Sequence, residues 1–187
     1  MTGYVRASEI AKLPVVTLGG EDVAQVKDIV FDAAHGGVRC FTLSGRGVFS
    51  GPLRRELLWS RVHALGPDAV MVRDENALAD DDQTARDATA SGGGNVIGAR
   101  VMTEGGTSLG KIVDVIIDSG RKPAVAGYEV EPEGHGRHRV LLPVINPVAI
   151  SGEMVLVPDV TAEFTAGDLA GFSAAVHGLR TRLEQEA

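Results

Sequence analysis

Cysteine occurs once in the 187 residues, as Cys40, so no internal disulfide can hold this fold together. Aromatic side chains are also scarce, at 4% of the chain, which excludes a core built on large rings. The apolar material is therefore Val, Leu, Ile and Ala. With 24 glycines interrupting it, the elements must be short and separated by many turns, a composition that leans towards β structure. No stretch approaches the roughly 20 consecutive apolar residues that span a bilayer. The opening MTGYVRASEI lacks the apolar segment that a secretory signal needs. The expectation is a cytoplasmic chain with no membrane insertion. Positive charge is in short supply as well. Lys and Arg number 18 against 25 Asp and Glu, a formal charge of -7 with no basic cluster in either half. A phosphate backbone demands such a cluster to displace its counterions, so nucleic acid is a poorly matched partner for this surface.

What the chain does have is repetition. VVTLGGEDVAQVKDIVFD, from Val15, aligns without gaps with VMTEGGTSLGKIVDVIID, from Val101. The identities are Val15 with Val101, Thr17 with Thr103, Gly19 with Gly105, Gly20 with Gly106, Asp28 with Asp114 and Asp32 with Asp118. The correspondence continues through VRCFTL beside AVAGYEV, and through ELLWSRVHALGPDAVMV beside LLPVINPVAISGEMVLV. One unit is used twice, over residues 1–75 and 95–160.

Each copy reads as a run of short strands. Val15 to Leu18 enters a Gly-Gly turn, Val23 to Phe31 is a long β-branched strand, and AAHGG or SGRKP returns the chain into Val38 to Leu43 or Val125 to Val130. After a loop come strands at Leu57 to Trp59 or Val140 to Leu142, then closing strands at Ala69 to Arg73 or Met154 to Val157. Five or six strands in about 70 residues suggest a small barrel, because closure removes exposed edges. Residues 76–94, acidic, rich in small residues and ending in SGGG, read as a solvated linker. Residues 161–187 read as an amphipathic helix with Thr165 as N-cap and an apolar stripe of Leu169, Phe172, Val176, Leu179 and Leu183.

With a repeat of this shape, RASEI from Arg6 followed by V-x-T-x-G-G, the strand VKDIVFD, and LLWSRVHALGPDAVMV resemble the PRC-barrel family. That family is named after the cytoplasmic domain of the photosynthetic reaction centre H subunit and includes the C-terminal domain of a ribosome maturation factor. The resemblance implies a mainly β fold: two small PRC-like β-barrels in tandem with a C-terminal α-helix. It also implies protein-interaction or assembly modules with no catalytic residues to carry over. The second copy departs from the pattern, with Pro143 and Val144 standing near where Leu58 and Trp59 stand in the first. The chain lacks the transmembrane helix of the H subunit and the separate N-terminal domain of the maturation factor.

The chemistry-bearing residues are few. Residues i and i+4 of a strand share a face, so Asp28 with Asp32, and Asp114 with Asp118, could grip a hard cation or work as an acid and base pair. Neither copy brings further ligands nearby, so these aspartates are expected to serve the fold, as Asx caps and acceptors of backbone hydrogen bonds, along with the turn glycines Gly19, Gly20, Gly105 and Gly106. His135 and His138 in GHGRH lack the cysteines or carboxylates of a structural zinc set. His35, His63 and His177 are scattered singles, and Cys40 in a strand reads as a buried, inert thiol. SGGGNVIGAR fails the dinucleotide fingerprint because Ile97 stands where the third glycine belongs, and LSGRG does not match a nucleophile elbow. No catalytic, metal or cofactor site is assigned.

The helical stripe has the spacing of a coiled-coil seam over about two heptads, and Gly171, Ala175 and Gly178 form a second, small-residue face. It can dock on its own barrels or bring two chains together. The reading is a non-enzymatic scaffold or adaptor that binds other proteins, with a homodimer as one arrangement. Two rivals stand beside it, a ribosome- or RNA-processing-associated factor and a small-ligand or metal-binding protein.

Overall fold

The computed structural model describes residues 3–32, 37–46, 51–80, 96–120, 123–134, 138–145, 147–151 and 153–186. Most of the acidic linker with its glycines, His35, His135 and the side chain of Asp32 lie outside the described residues. Contacts divide the chain into two units. One is Ala7–Gly94; the other joins Met1–Arg6 to Asn95–Ala187.

The chain starts with β1 (Tyr4–Arg6), which belongs to the second of these units. The first-repeat unit then contains a single helical turn α1 (Ala7–Ile10), β2 (Pro14–Thr17), β3 (Asp22–Asp32), β4 (Gly37–Ser44), β5 (Pro52–Leu58), a 3-10 turn (Trp59–Arg61), β6 (Val62–Leu65), β7 (Val70–Val72), a second 3-10 turn (Glu75–Ala77) and β8 (Leu78–Asp80). Its strands are ordered β8-β5-β4-β3-β2-β7-β6, antiparallel except for the parallel pair β2 and β7.

The second-repeat unit follows the same plan with β9 (Arg100–Thr103), β10 (Ser108–Asp118), β11 (Ala124–Glu131), β12 (Val140–Pro143), β13 (Ala149–Ile150), β14 (Met154–Val157), a 3-10 turn (Asp159–Glu163) and the C-terminal helix α2 (Leu169–Glu186). The order is β12-β11-β10-β9-β14-β13, again with one parallel pair, β9 and β14. A bridge between Leu141 and Ala166 stands where β5 and β8 pair in the first unit. The fold is mainly β, with one C-terminal helix.

The duplication extends to the irregularities. Each long central strand, β3 and β10, pairs with its neighbours through register shifts at matching places: Val15/Val16 against Ser108/Gly110, Val26/Asp28 against Ile112/Asp114, and Val30/Phe31 against Ile116/Ile117. A bulge bends its strand and increases local twist. Three of them let an 11-residue strand pair with different neighbours at its two ends, and so wrap the sheet. Among the described residues no ladder joins β8 to β6 or β12 to β13.

Two boundaries differ from the sequence reading. The first barrel does not stop at residue 75. Asp74 accepts a hydrogen bond from the Asn76 amide to start a 3-10 turn, and β8 then pairs with β5, burying Leu78. The acidic neighbours of Leu78 disguise that strand as linker. The N-cap of α2 is Asp168, not Thr165: its carboxylate accepts from the Gly171 amide at 2.7 Å. Helix cannot start earlier because Ala166 is still extended, exchanging two backbone hydrogen bonds with Leu141. The edge strands β6 and β13 and the N-terminal β1 were also not anticipated.

Candidate interaction surface

The repeated motif residues build turns and bulges. In the first copy the Thr17 amide donates to the Glu21 carbonyl, the Thr17 hydroxyl accepts from the Glu21 amide at 3.1 Å, and Gly20 sits at φ 86°. In the second, Thr103, Thr107 and Gly106 (φ 85°) repeat the arrangement, with the hydroxyl contact at 3.2 Å. A threonine closing a turn and a glycine in the left-handed region account for V-x-T-x-G-G without any ligand.

The aspartates fall at the bulges. The Asp28 carboxylate accepts from the Ile29 amide at 2.8 Å, and the Asp114 carboxylate from the Val115 amide at 2.8 Å, each immediately after the extra residue of the bulge. A bulge interrupts the ladder, and the carboxylate serves the amide that follows. Asp118 ends β10 and accepts from the Gly120 amide at 3.0 Å, as an Asx turn does. Among the described residues no cluster of three or more His, Cys, Asp or Glu could hold a metal ion.

Asp159 is a further structural acid. The Thr103 hydroxyl and then the Gly105 amide, at 2.8 Å, donate to it and hold its carboxyl below the ordinary range, against a small opposing effect of burial. It ties the 3-10 turn after β14 to the turn between β9 and β10. In the first copy, by contrast, Asp74 serves its own turn. Burial pushes the Tyr128 phenol up to about 12. The Tyr4 phenol is raised as well, first by burial and then by the charge of Asp118, with Arg180 opposing.

Cys40 is fully buried, and its thiol donates to the Glu56 carboxylate at 3.5 Å. Both members of the pair are buried. His138 and His177 are exposed. A cleft of about 380 Å³ in the first-repeat unit is lined by Ser60, Arg61, Val62, His63, Arg73, Asp74, Asn76 and Ala77. None of these side chains is buried. Arg61 is engaged with the carbonyls of Asn76 and Ala77, and Asp74 with an amide. The described residues thus bring together no nucleophile, base and oxyanion donor.

The apolar stripe of α2 is directed into its own unit. Phe172, Val176 and Leu179 are buried, and Leu169 and Leu183 half-buried. Phe172 and Val176 join Ile116 and Leu141 in one cluster. On the second face, a side chain at Gly178 would meet the Phe164 ring at 2.7 Å, so the small residue admits an aromatic of the same unit.

What remains outside is an edge. Val148, Ile150 and Met154 are exposed large apolar residues on the β13–β14 hairpin. β13 pairs with β14 on one side only among the described residues. From Val140 to Gly152 no residue is charged, whereas the matching strand β6 follows Arg61 and carries His63. Native edge strands are normally protected by charge, and this one carries none. The sequence reading missed this edge, although the uncharged run was visible in it.

Two wrapped sheets of one design define a tandem-repeat β architecture. The family model of the PRC-barrel domain matches the chain twice, over residues 3–78 and 89–164. The chain belongs to the PRC-barrel family, whose domains are in general protein-interaction or scaffold modules and are in general non-catalytic. No curated protein matches the sequence. No helix among the described residues is long and apolar enough to cross a membrane.

Proposed function

We propose that the protein is a non-enzymatic adaptor of the cytoplasm, which holds a protein partner on its tandem PRC barrels and recruits it at the β13 edge. The observation that supports this reading most is the exposed Val148, Ile150 and Met154 beside a strand edge with no charge to repel an incoming segment. An extended peptide added there would gain backbone hydrogen bonds from β13 and apolar burial from those three side chains. The net charge of -7 disfavours the RNA-associated alternative.

Affinity capture from the native cell, comparing the natural chain with Ile150→Lys, tests the reading. A defined protein recovered by the natural chain and lost with the variant supports it. Recovery of ribosomal particles by both would replace it with the RNA-associated reading, and identical recoveries without them would remove the β13 edge from it.

A further inference from the structure

The strand that extends the second-repeat sheet comes from the wrong end of the chain. From Ala7 onward the polypeptide folds with the first repeat, yet β1 pairs Tyr4 with Asp118, Val5 with Ile117 and Arg6 with Ile116. Three further contacts fix it there. The Gly3 carbonyl accepts from the amide and the hydroxyl of Ser119, at 3.0 and 2.7 Å. The Tyr4 ring meets Phe172 edge-on, with centroids 5.0 Å apart. The Arg6 guanidinium reaches both oxygens of Glu129, at 3.3 and 3.4 Å, and Glu129 is only 9% exposed.

Two of those partners have no counterpart in the first repeat. Glu129 follows the residue opposite Val115 and itself stands opposite Asp114, whereas the residue opposite Asp28 is Thr42. Phe172 belongs to α2, which follows the second repeat alone. A largely buried carboxylate is costly without a cation, so Glu129 selects an arginine at that place on the edge. Together the β10 edge, Phe172 and Glu129 form a groove that reads an extended aromatic, aliphatic, arginine sequence, the pattern of Tyr4, Val5 and Arg6.

Every copy of the chain carries both the strand and the groove. We propose that β1 is an exchange strand, and that two copies associate by each seating its Tyr4–Arg6 in the other's Glu129 and Phe172 groove. Each copy gives one strand and receives one, so the assembly closes at two chains. The strand of the same chain competes through its high effective concentration, which makes the exchanged pair the form of concentrated protein. This inference concerns self-association and does not rest on the adaptor reading.

Val5 and Ile117 are directly opposite, a spacing that suits a disulfide. Differently tagged chains bearing Val5→Cys or Ile117→Cys, each in a Cys40→Ala background, are mixed, concentrated and oxidised. The expected product is a covalent species at twice the 19.5 kDa chain mass that carries both tags. The doubly substituted chain serves as the control. If it closes on itself at monomer mass while the mixture yields no doubly tagged species, strand exchange is overturned. A second measurement does not need a new thiol. Arg6→Glu and Glu129→Arg each place like charges in their own groove, and only a mixed pair satisfies both grooves. Light scattering should show dimer mass for the mixture and monomer mass for each variant alone; a mixture that stays monomeric refutes the proposal.

Discussion

Replacing Phe172 by alanine should release the C-terminal helix. The ring is fully buried, clusters with Ile116, Leu141 and Val176, and makes the edge contact with Tyr4. Truncating a buried phenylalanine costs about 3–5 kcal/mol, including about 0.5–1.5 kcal/mol for an aromatic pair. That is a large share of the roughly 5–15 kcal/mol by which domains are stable. Nothing in α2 compensates. Its 18 residues include Gly171, Gly178 and a β-branched Val176, so its intrinsic helicity is poor and its order depends on docking. Urea unfolding followed by circular dichroism at 222 nm reads this directly, because α2 is the one long helix among the described residues. We expect the transition to lose about 4 kcal/mol, with Phe172→Leu recovering part of it. Trp59, the single tryptophan, lies in the first-repeat unit and gives a separate fluorescence signal. A loss at 222 nm below about 1 kcal/mol would refute the claim that this ring anchors the helix.

Further outcomes follow from individual residues. A methyl group at Gly127 would run into the Leu142 carbonyl and lie 2.8 Å from the Phe172 ring, so Gly127→Ala should cost about 3 kcal/mol in chemical denaturation. Tyr128 keeps its proton in the folded chain after the unfolded phenol has lost it, so its contribution is present below pH 10 and is lost between pH 10 and the folded value of about 12. Tyr128→Phe should therefore flatten the alkaline limb of stability by about 1.4 kcal/mol at pH 11, read from thermal midpoints. Asp159 behaves in the opposite sense. Its folded pKa is depressed, so its contribution is present above the unfolded carboxylate value and fades as pH falls through the folded one. Asp159→Asn should lower the midpoint at neutral pH and make it less dependent on acid; an unchanged acid limb would show that Thr103 and Gly105 do not stabilise the charge.

The repeat and its strands were legible because they rest on local signals. Gly-Gly pairs mark turns, and β-branched runs such as VKDIVFD mark strands whatever surrounds them. Asp118 could likewise be read as an Asx turn from its place before Ser119 and Gly120. The service of Asp28 and Asp114 to bulges was only partly legible, since a bulge is defined by the partner strand and not by the strand that carries it. β8 was hidden because Leu78 is the lone large apolar residue of an acidic stretch, and its pairing with Leu57 is a tertiary fact. The start of α2 was misplaced for a similar reason: Thr165 is a good local cap, but the bridge at Ala166 overrides it. Least visible was β1, whose three residues carry no pattern long enough to reveal that their acceptors are Ile116, Glu129 and Phe172.

The placement of β1 also sets an order of events during synthesis. Tyr4–Arg6 leaves the ribosome before Glu129, which follows 123 residues later. At roughly 5–20 residues per second the nascent β1 segment waits about 6–25 s for its carboxylate, and longer for the helix that carries Phe172. Throughout that interval the first repeat can be complete while its leading segment is still unclaimed, within reach of chaperones and of older chains growing on the same message.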